Sequence, residues 1–522
     1  MHGSSQEPTT PEATAPAADG WRPRLRALWD SPRLPAVLIG LGIALRLVQY
    51  ASRRSLWIDE AWLALNIINR SWGRLLLPLD FCQGSPIGFV LLAKAAVVAF
   101  GTGELALRLV PFLAGAFSVY AFWLLARGWL GRNAAIPALA LFALLRFPVY
   151  YAAEVKPYSL DVLWTVVLYL LFTPVLNGET GLRRLLPLAA AGVVAVWFSY
   201  PASFVLPGAG MTLAVVLLLR RQWAGLARAA VMGGAWAVSF AACYLVNLRQ
   251  LATNPSQQDF WQHAFVPLDS LGGTAGWLRK AFMGLFQRTL GLPTSAGAAV
   301  VAALLFAVGF GVMLRTDRRK LAALVAPGML CFLAATLRMY PFRGRLLLFL
   351  VPGMLILIGA GAARIAAARS HRAMRLVGPL LLVMLFVPTA GSALAAALPP
   401  YGHEEIRPVI EHMREHRQPG DLVYVHWGAY PAFEYYRQTR GYDFELWEKG
   451  ICSPRNPSAY VQQLQEAVTA HDVRRVWFLI SHDRAHERAF FESALEEMGA
   501  RHHRFRAEGA SAYLFELDRT AP

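Results

Sequence analysis

The sequence predicts a mainly α polytopic membrane protein with about 11 transmembrane helices, followed by a soluble α/β domain. Of its 522 residues, 56% are hydrophobic and only 16% are charged, whereas soluble proteins carry about 25% charged residues. The apolar residues are grouped in runs long enough to cross a bilayer. Arginine clusters recur between these runs, and the composition turns polar again only in the last part of the chain.

Three regions follow from this pattern. Residues 1–33 are predicted to be a disordered, basic cytoplasmic N-terminus, because Ser, Thr, Pro and Ala dominate the first twenty positions and arginines follow. Residues 34–398 form the predicted transmembrane domain, which includes a long first outer loop at 51–105. Residues 399–522 form the predicted extracytoplasmic α/β domain.

Eleven apolar segments are predicted to span the membrane. Their approximate bounds are 34–50, 106–126, 133–150, 158–176, 185–200, 202–219, 229–247, 294–314, 321–337, 346–363 and 377–395. A further run at 86–100 is only about 15 residues long and contains Lys94. We expect that run to form an interfacial or re-entrant helix in the outer loop.

The positions of the basic residues give the predicted orientation. With eleven alternating spans, most arginine clusters fall on the side of the N-terminus, which the positive-inside rule assigns to the cytoplasm. The arginines in question include Arg127, Arg183, Arg220, Arg318 and Arg364. The net charge of +17 is thereby accounted for without nucleic acid. The chain has many Arg and only five Lys, a usage that hints at a bacterial source, and we predict a multi-pass protein of the bacterial inner membrane.

The C-terminal region alternates helical and strand patterns. Residues 404–417 and the segment that starts at His486 have helical periodicity, whereas 421–426 and 475–481 are short apolar runs typical of buried strands. Two more short strands are expected near Arg504 and Tyr513. The region is long enough to have a hydrophobic core of its own.

The first outer loop contains the sequence SLWIDEAWLALNI, in which Asp59 and Glu60 lie between two tryptophans. The apolar residues Leu63 and Ile67 favour an amphipathic helix on the membrane surface. An acidic pair is also typical of the first turn of any solvated helix. Composition alone leaves both interpretations open.

Two further outer turns contain charged residues. The segment YYAAEVKPYSLD places Glu154 and Lys156 at a membrane boundary, beside Tyr158; a structural ion pair is the alternative interpretation. The turn RMYPFRGR carries Arg338, Arg343 and Arg345 on the side that should be poor in positive charge. A phosphate ligand explains this excess, because guanidinium binds phosphate oxygens in a fork, although contact with lipid headgroups is also possible.

Together the three outer turns predict a site that transfers a group away from a phosphate. A carboxylate can take a proton from an acceptor hydroxyl, and arginines can stabilise the charge on the departing phosphate. The chain contains no dinucleotide fingerprint and no P-loop. A lipid-linked donor is therefore the simplest expectation for a site on the outer face.

These features resemble the GT-C glycosyltransferases, in particular the branch of the protein O-mannosyltransferases and the lipid A aminoarabinose transferase. Four places carry the resemblance, within residues 35–365. They are the acidic pair after the first span, the stretch QGSPIGFVLLAKAAVVAFGTGELALRLVP, the second acidic loop, and the arginine-rich turn before LLLFLVPGM. The order of these parts matches the family.

The resemblance implies a membrane glycosyltransferase that uses a polyprenyl-phosphate sugar and inverts the anomeric centre in one displacement. Asp59 would be the catalytic carboxylate, supported by Glu60. The implied substrate-binding residues are Trp57, Gln83, Ser85, Glu154, Lys156, Tyr158, Arg338, Tyr340, Arg343 and Arg345. Beyond the donor and membrane lipid, the implied partner is an acceptor on a protein, lipid or glycan, and nucleic acid is not expected.

The sequence departs from the family before Pro86. Many relatives have His or Lys before a Pro-Pro pair, whereas this chain has Gly84 and Ser85 before a single proline. Gln83 or Lys156 is expected to supply the missing contact. No cofactor is predicted; a divalent metal is compatible with the pattern but is not indicated by it.

The C-terminal domain contains His482, Asp483, His486 and Glu487, of which the two histidines could share a helix face as a metal pair. A polar surface is the favoured interpretation of this cluster, and the domain is expected to cover the site or engage the acceptor. Two other functions remain open. A lipid-linked saccharide flippase would use intramembrane charges such as Arg46 and Arg146, and a saccharide polymerase or ligase would share the same donor.

Overall fold

A computed structural model of the chain describes residues 27–293, 297–368, 372–397, 403–452, 458–482 and 485–517. The predicted N-terminal tail lies almost entirely outside these residues, as does Asp483. The described chain forms a helical bundle followed by a small α/β domain.

The bundle contains sixteen α-helices of five or more residues in the described part of the chain. They are α1 Leu34–Ala51, α2 Ile58–Asn69, α3 Ile87–Phe100, α4 Glu104–Leu130, α5 Arg132–Leu144, α6 Arg146–Tyr150, α7 Tyr158–Leu176, α8 Leu182–Phe198, α9 Ala202–Leu219, α10 Trp223–Cys243, α11 Pro255–Trp261, α12 Leu271–Gly284, α13 Ala298–Thr316, α14 Arg318–Thr336, α15 Val351–Ala367 and α16 Arg372–Ala397. Shorter helical turns extend α6, α10 and α12 and precede α15.

The membrane-spanning segments are nine or ten in the described part of the chain, against eleven predicted. Nine helical segments are long and apolar enough to cross a bilayer, and the bent pair α5–α6 makes a tenth. The eleventh predicted span, 185–200, is helix α8, which has 17 residues. It begins just before two arginines and ends at Ser199, so its apolar length is at the lower limit for a span.

The predicted span 133–150 is broken in the middle. Helices α5 and α6 meet at an angle of 57°, because Pro148 cannot donate a backbone hydrogen bond to residue 144 and its ring crowds that carbonyl. Arg46 on α1 lies at this break and is fully buried. Its guanidinium donates to the carbonyl oxygens of Gly42, at 2.8 Å, and Phe142, at 3.2 Å. An intramembrane arginine thus satisfies a carbonyl that the break leaves without its helical partner.

Helices α13 and α15 pack closely through glycines. A methyl group on Gly309 would lie 1.8 Å from the carbonyl oxygen of Leu357, and one on Gly361 would lie 1.9 Å from that of Leu305. The two backbones therefore approach each other at a distance that only glycine permits, as is common between membrane helices.

The loop 51–105 forms two helices that pack on each other and on α4. The short run predicted at 86–100 is α3, and its Lys94 Nζ donates to the carbonyl oxygens of Ile67 and Ile68, at 2.9 and 3.1 Å. These carbonyls lie at the C-terminal end of α2, where a cation is favourable. Lys94, a charged residue in an apolar helix, thus joins α3 to the C-terminal end of α2.

The C-terminal domain contains four helices and a five-stranded sheet. The helices are α17 Ile406–His416, α18 Tyr430–Arg440, α19 Ser458–His471 and α20 Ala485–Met498, and the strands are β1 Leu422–Val425, β2 Trp447–Lys449, β3 Arg475–Ser481, β4 Gly499–Ala507 and β5 Ala510–Leu517. The strand order is β2-β1-β3-β5-β4. Strand β1 is parallel to β2 and β3, and β5 is antiparallel to β3 and β4. The four predicted strands are present, whereas β2, α18 and α19 were not predicted.

The two faces of this sheet have different partners. Tyr424 and Phe478 face α19 and α20, in a hydrophobic core that belongs to the domain alone. Their neighbours Val425 and Leu479 point the other way, since successive strand residues alternate between faces, and they share a core with residues of the loop 51–105. The domain is therefore joined to the loop by a continuous apolar contact.

This contact changes the environment predicted for α2. Leu63 and Ile67 were expected to face the membrane surface, but both are fully buried inside the protein. Helix α18 of the C-terminal domain covers α2, and Tyr436 and Phe433 belong to the same cluster. The amphipathic pattern was real, but its apolar side packs against protein.

Candidate active site

Asp59 and Glu60 lie in the first turn of α2, and their side chains point in different directions. Adjacent residues on an α-helix are rotated by about 100° about its axis. Asp59 therefore faces the loop before α7 and the turn before α15, while Glu60 faces α4. The phase of the helix separates two carboxylates that the sequence presents as a pair.

Glu60 is held in a buried ion pair. Its Oε1 accepts from Arg108 Nε at 2.9 Å and from the Val155 backbone N–H at 2.8 Å, and its Oε2 accepts from Arg108 Nη2 at 2.7 Å. Both side chains are 0% exposed. Burial alone would raise the pKa of Glu60, but Arg108, Arg54 and the Val155 N–H together lower it below its ordinary value. This arrangement connects α2, α4 and the second loop, and it leaves Glu60 turned away from Asp59.

Asp59 lies between two cations. Arg345 donates from Nη2 to its Oδ2, and Lys156 Nζ lies 3.6 Å from its Oδ1. The Asp59 and Arg345 side chains keep 17% and 21% of their exposure, so the pair is accessible from outside. Burial alone would raise the pKa of Asp59, but Lys156, Arg345 and, more weakly, His482 lower it below its ordinary value.

Two aromatic rings flank the guanidinium of Arg345. Its central carbon lies 5.4 Å from the ring centre of Trp57 and 5.7 Å from that of Tyr158, within the range of cation–π attraction. The residue begins a short 3-10 helix, Gly344–Leu350, and Gly344 has a φ of 50°, a left-handed conformation that suits glycine. The turn thereby directs Arg345 towards α2.

The second loop supplies Lys156 and Glu154. Lys156 Nζ donates to Gln83 Oε1 at 2.7 Å, so Gln83 fixes the ammonium beside Asp59. Glu154 is fully buried, and neither of its carboxylate oxygens has a hydrogen-bond partner among the described residues. Burial, then the charge of Glu60, raises the pKa of Glu154 to about 7, against the pull of Arg345 and Arg54.

Arg54 supports this loop from the first one. Its Nη2 donates to the carbonyl oxygen of Ala153 at 2.6 Å, and its guanidinium lies 3.9 Å from the ring centre of Tyr150. The sequence gave no reason to single out Arg54 among the many arginines. Arg108 was also missed as a partner of Glu60, although it lies in the stretch that carried the resemblance.

The other predicted residues lie further from Asp59. Arg338 lies over the ring of Phe265, at 5.6 Å from its centre. Burial, and then the charge of Arg288, lowers the pKa of Arg343. Tyr340 donates from its hydroxyl to the carbonyl oxygen of Leu346 at 3.0 Å and thereby holds the turn. Of the three arginines, Arg345 alone forms an ion pair with Asp59 within the described part of the chain.

Ser85 is buried and lies two residues before the start of α3. Its hydroxyl is buried and has no hydrogen-bond partner in the described chain, while its carbonyl accepts from Asn247 Nδ2 at 3.1 Å. The Ser85 hydroxyl, the Glu154 carboxyl and the Trp57 indole N–H are buried without a hydrogen-bond partner in the described chain. A bound polar ligand could satisfy such groups.

The C-terminal domain also reaches this site. Glu404 Oε2 accepts from the Ile58 backbone N–H at 3.2 Å, and Glu404 Oε1 is bonded to His482 Nδ1 at 2.7 Å. The ring of Trp57 lies 5.2 Å from that of His403 and 6.3 Å from that of His482. Glu404 and His403 were not identified from the sequence, because nothing local in a polar stretch indicates contact with a residue some 350 positions earlier.

The four residues considered as an alternative metal cluster have separate environments. His482 is bonded to Glu404, and Glu487 is buried. Asp483 and the His486 side chain lie outside the described residues. Within the described ranges, no group of three His, Cys, Asp or Glu residues is arranged to hold a metal ion.

No family model and no curated protein matches the amino-acid sequence. Solved structures do match the fold. Apo ArnT from Cupriavidus metallidurans has a TM-score of 0.53 at 14% identity, over 91% of this chain and 97% of that one. The same protein bound to undecaprenyl phosphate gives 0.53 at 15% identity, over 93% and 98%. The Archaeoglobus fulgidus oligosaccharyltransferase, in complex with zinc and sulfate, gives 0.51 at 15% identity, over 92% and 72%.

These neighbours belong to the GT-C superfamily, so the resemblance is confirmed at the level of the fold. The chain is a multi-pass membrane protein with a GT-C-like helical domain and a C-terminal α/β domain.

Proposed function

We propose that the protein is a glycosyltransferase of the bacterial inner membrane. It moves a sugar from a polyprenyl-phosphate donor to an acceptor hydroxyl on the extracytoplasmic face, by one inverting displacement. The observation that carries this proposal is the placement of Asp59 between Lys156 and Arg345, at an exposed edge of a GT-C fold. The binding of undecaprenyl phosphate by ArnT supports the donor class.

Asp59 and the donor phosphate compete for the same two cations. In the free protein the Asp59 carboxylate pairs with Lys156 and Arg345, and its lowered pKa makes it a weak base. When the donor phosphate binds Lys156 and Arg345, its negative charge offsets their attraction for the Asp59 carboxylate. The pKa of Asp59 then rises, and Asp59 becomes a stronger base. Donor binding therefore prepares the base for the acceptor.

The displacement then balances as follows. Asp59 takes the proton from the acceptor hydroxyl, and the acceptor oxygen forms a bond to the anomeric carbon. The bond from that carbon to the phosphate oxygen breaks, and its electron pair leaves with the polyprenyl phosphate. Arg345 and Lys156 stabilise the additional negative charge, so the leaving group needs no general acid.

The orientation rests on the arginine clusters, which favour a cytoplasmic N-terminus and an outer location for Asp59. The flippase alternative rested on Arg46 and Arg146, and the first of these is engaged by backbone carbonyls at a helix break. A polymerase or ligase would use the same donor chemistry and would differ in the size of the product.

Two measurements with opposite expected outcomes test the proposal. Purified protein is titrated with undecaprenyl phosphate, and membranes are assayed for transfer of labelled sugar from the polyprenyl pool. We expect Asp59→Asn to bind undecaprenyl phosphate more tightly, because it frees both cations, and to lose transfer by at least about a hundredfold. Asp80→Asn is the matched control, since Asp80 lies in the same loop with 63% exposure. Full transfer by Asp59→Asn, or weaker phosphate binding, would contradict the proposed role.

A further inference from the structure

Helix α2, which carries Asp59, has no side-chain cap of its own. Its N-cap residue is Trp57, whose side chain makes no capping hydrogen bond. The Ile58 N–H, the first amide of the helix, instead donates to Glu404 Oε2 of the C-terminal domain at 3.2 Å. A carboxylate at this position satisfies an otherwise free amide and interacts favourably with the helix dipole.

Glu404 is itself fixed by a second contact. Its other oxygen is bonded to His482 Nδ1 at 2.7 Å, and Glu404 is only 6% exposed, so both oxygens depend on protein partners. His482 directly follows β3 and has a φ of 54°, a conformation that costs a non-glycine residue energy. Non-glycine residues in such conformations cluster at functional sites.

We propose that Glu404 and His482 are positioning residues for Asp59. Glu404 holds the first turn of α2, so that Asp59 is kept at the distance from Lys156 and Arg345 that the reaction requires. His482 holds Glu404 in turn. This inference rests on the proposed function, and it assigns to the C-terminal domain a direct part in the geometry of the site.

The neighbouring glutamate provides a matched control. Glu405 also joins the domain to the first loop, because its Oε2 accepts from the Ser55 backbone N–H at 3.2 Å and from its hydroxyl at 2.8 Å. Ser55 precedes α2, and none of the hydrogen bonds of Glu405 among the described residues reaches that helix. Loss of Glu405 weakens domain docking and leaves the first amide of α2 capped.

The two nitrogens of imidazole allow a second comparison. The amide nitrogen of Asn occupies nearly the position of Nδ1, whereas that of Gln lies nearer to Nε2. Because the contact with Glu404 is made by Nδ1, His482→Asn preserves a donor to Glu404 and His482→Gln does not.

The experiment uses the full-length protein in phospholipid vesicles. Single-turnover sugar transfer is measured at saturating donor and acceptor, and affinity is measured with undecaprenyl phosphate alone. We expect Glu404→Ala and His482→Gln to slow transfer about tenfold while changing phosphate affinity less than twofold, since loss of a helix cap costs on the order of 1 kcal/mol. His482→Asn should stay within about threefold of wild type, and Glu405→Ala within about twofold.

Hydrogen exchange gives a readout that does not need activity. Glu404→Ala should speed amide exchange in the first turn of α2, and Glu405→Ala should not. Equal losses of transfer in the two Glu variants, or equal losses in the two His482 variants, would overturn the positioning role. Unchanged exchange at Ile58 in Glu404→Ala would also overturn it. If the wild type shows no sugar transfer while the two Glu variants still differ in amide exchange as expected, the proposed function is refuted and the contact between Glu404 and α2 stands.

Discussion

Replacing Glu154 with Gln should remove a loss of folding stability that the wild type suffers as pH rises from 4.5 to about 7. The Glu154 carboxyl is fully buried without a hydrogen-bond partner among the described residues. Burial, reinforced by the charge of Glu60, raises its pKa from 4.5 to about 7. The folded protein therefore favours the neutral form, whereas the unfolded chain ionises near the ordinary value. Gln has nearly the same shape as neutral Glu and cannot ionise.

The sign and size of the effect follow from this difference in pKa. Below pH 4.5 both states of the wild type bind the proton, so the stabilising contribution of the neutral carboxyl is complete. Between pH 4.5 and about 7 only the folded state keeps the proton, and stability falls by about 1.4 kcal/mol per pH unit. The accumulated loss is on the order of 3 kcal/mol by pH 8, and Glu154→Gln avoids it.

The assay compares thermal unfolding midpoints of the two proteins in the same detergent, from pH 4.5 to 8.5. We expect equal midpoints at the acid end, and Glu154→Gln to be higher by several degrees at the alkaline end. Glu179→Gln is the control, since Glu179 is 54% exposed, and its difference from wild type should be flat. A constant difference for Glu154→Gln, or one that shrinks as pH rises, would refute the reasoning.

Two further predictions concern stability. Arg108→Met should destabilise the protein by about 3–5 kcal/mol in thermal unfolding, because it leaves the buried Glu60 carboxylate without its partner. Arg184→Met removes an exposed pair with Glu179, whose side chains are 55% and 54% exposed, and should cost no more than about 1 kcal/mol; similar losses would contradict the argument. Gly309→Ala should lower the unfolding midpoint, because its methyl group would lie 1.8 Å from a backbone oxygen. Gly311→Ala on the same helix has open space and should leave stability equal or higher; a lower midpoint for Gly311→Ala than for Gly309→Ala would be incompatible with the packing.

The helices of the bundle were largely predictable because their signals are local. A long apolar run between arginine clusters predicts a span wherever it lies in the fold, and nearly all the predicted segments coincide with helices. Two of these segments differ from a simple unbroken span, and both differences have local causes. The break between α5 and α6 depends on Pro148, and α8 is one or two residues shorter than its neighbours.

The candidate site was predictable only in part. The sequence singled out Asp59, Lys156 and Arg345 in separate loops, and the structure brings their side chains together; their role in substrate binding or catalysis stays a prediction. The sequence could not separate Asp59 from Glu60, because the direction of each side chain depends on where α2 begins. The contact between Ile58 and Glu404 was beyond prediction, since pairs so far apart in sequence leave no periodic pattern.

The shared core between the sheet and the first loop has a consequence for biogenesis. Leu63 and Ile67 are covered by α18, which the ribosome makes hundreds of residues later. Until that helix has been synthesised, the apolar side chains of this loop lack the cover that they have in the folded protein. The shared core between the sheet and the first loop can therefore form only after the C-terminal domain has been synthesised.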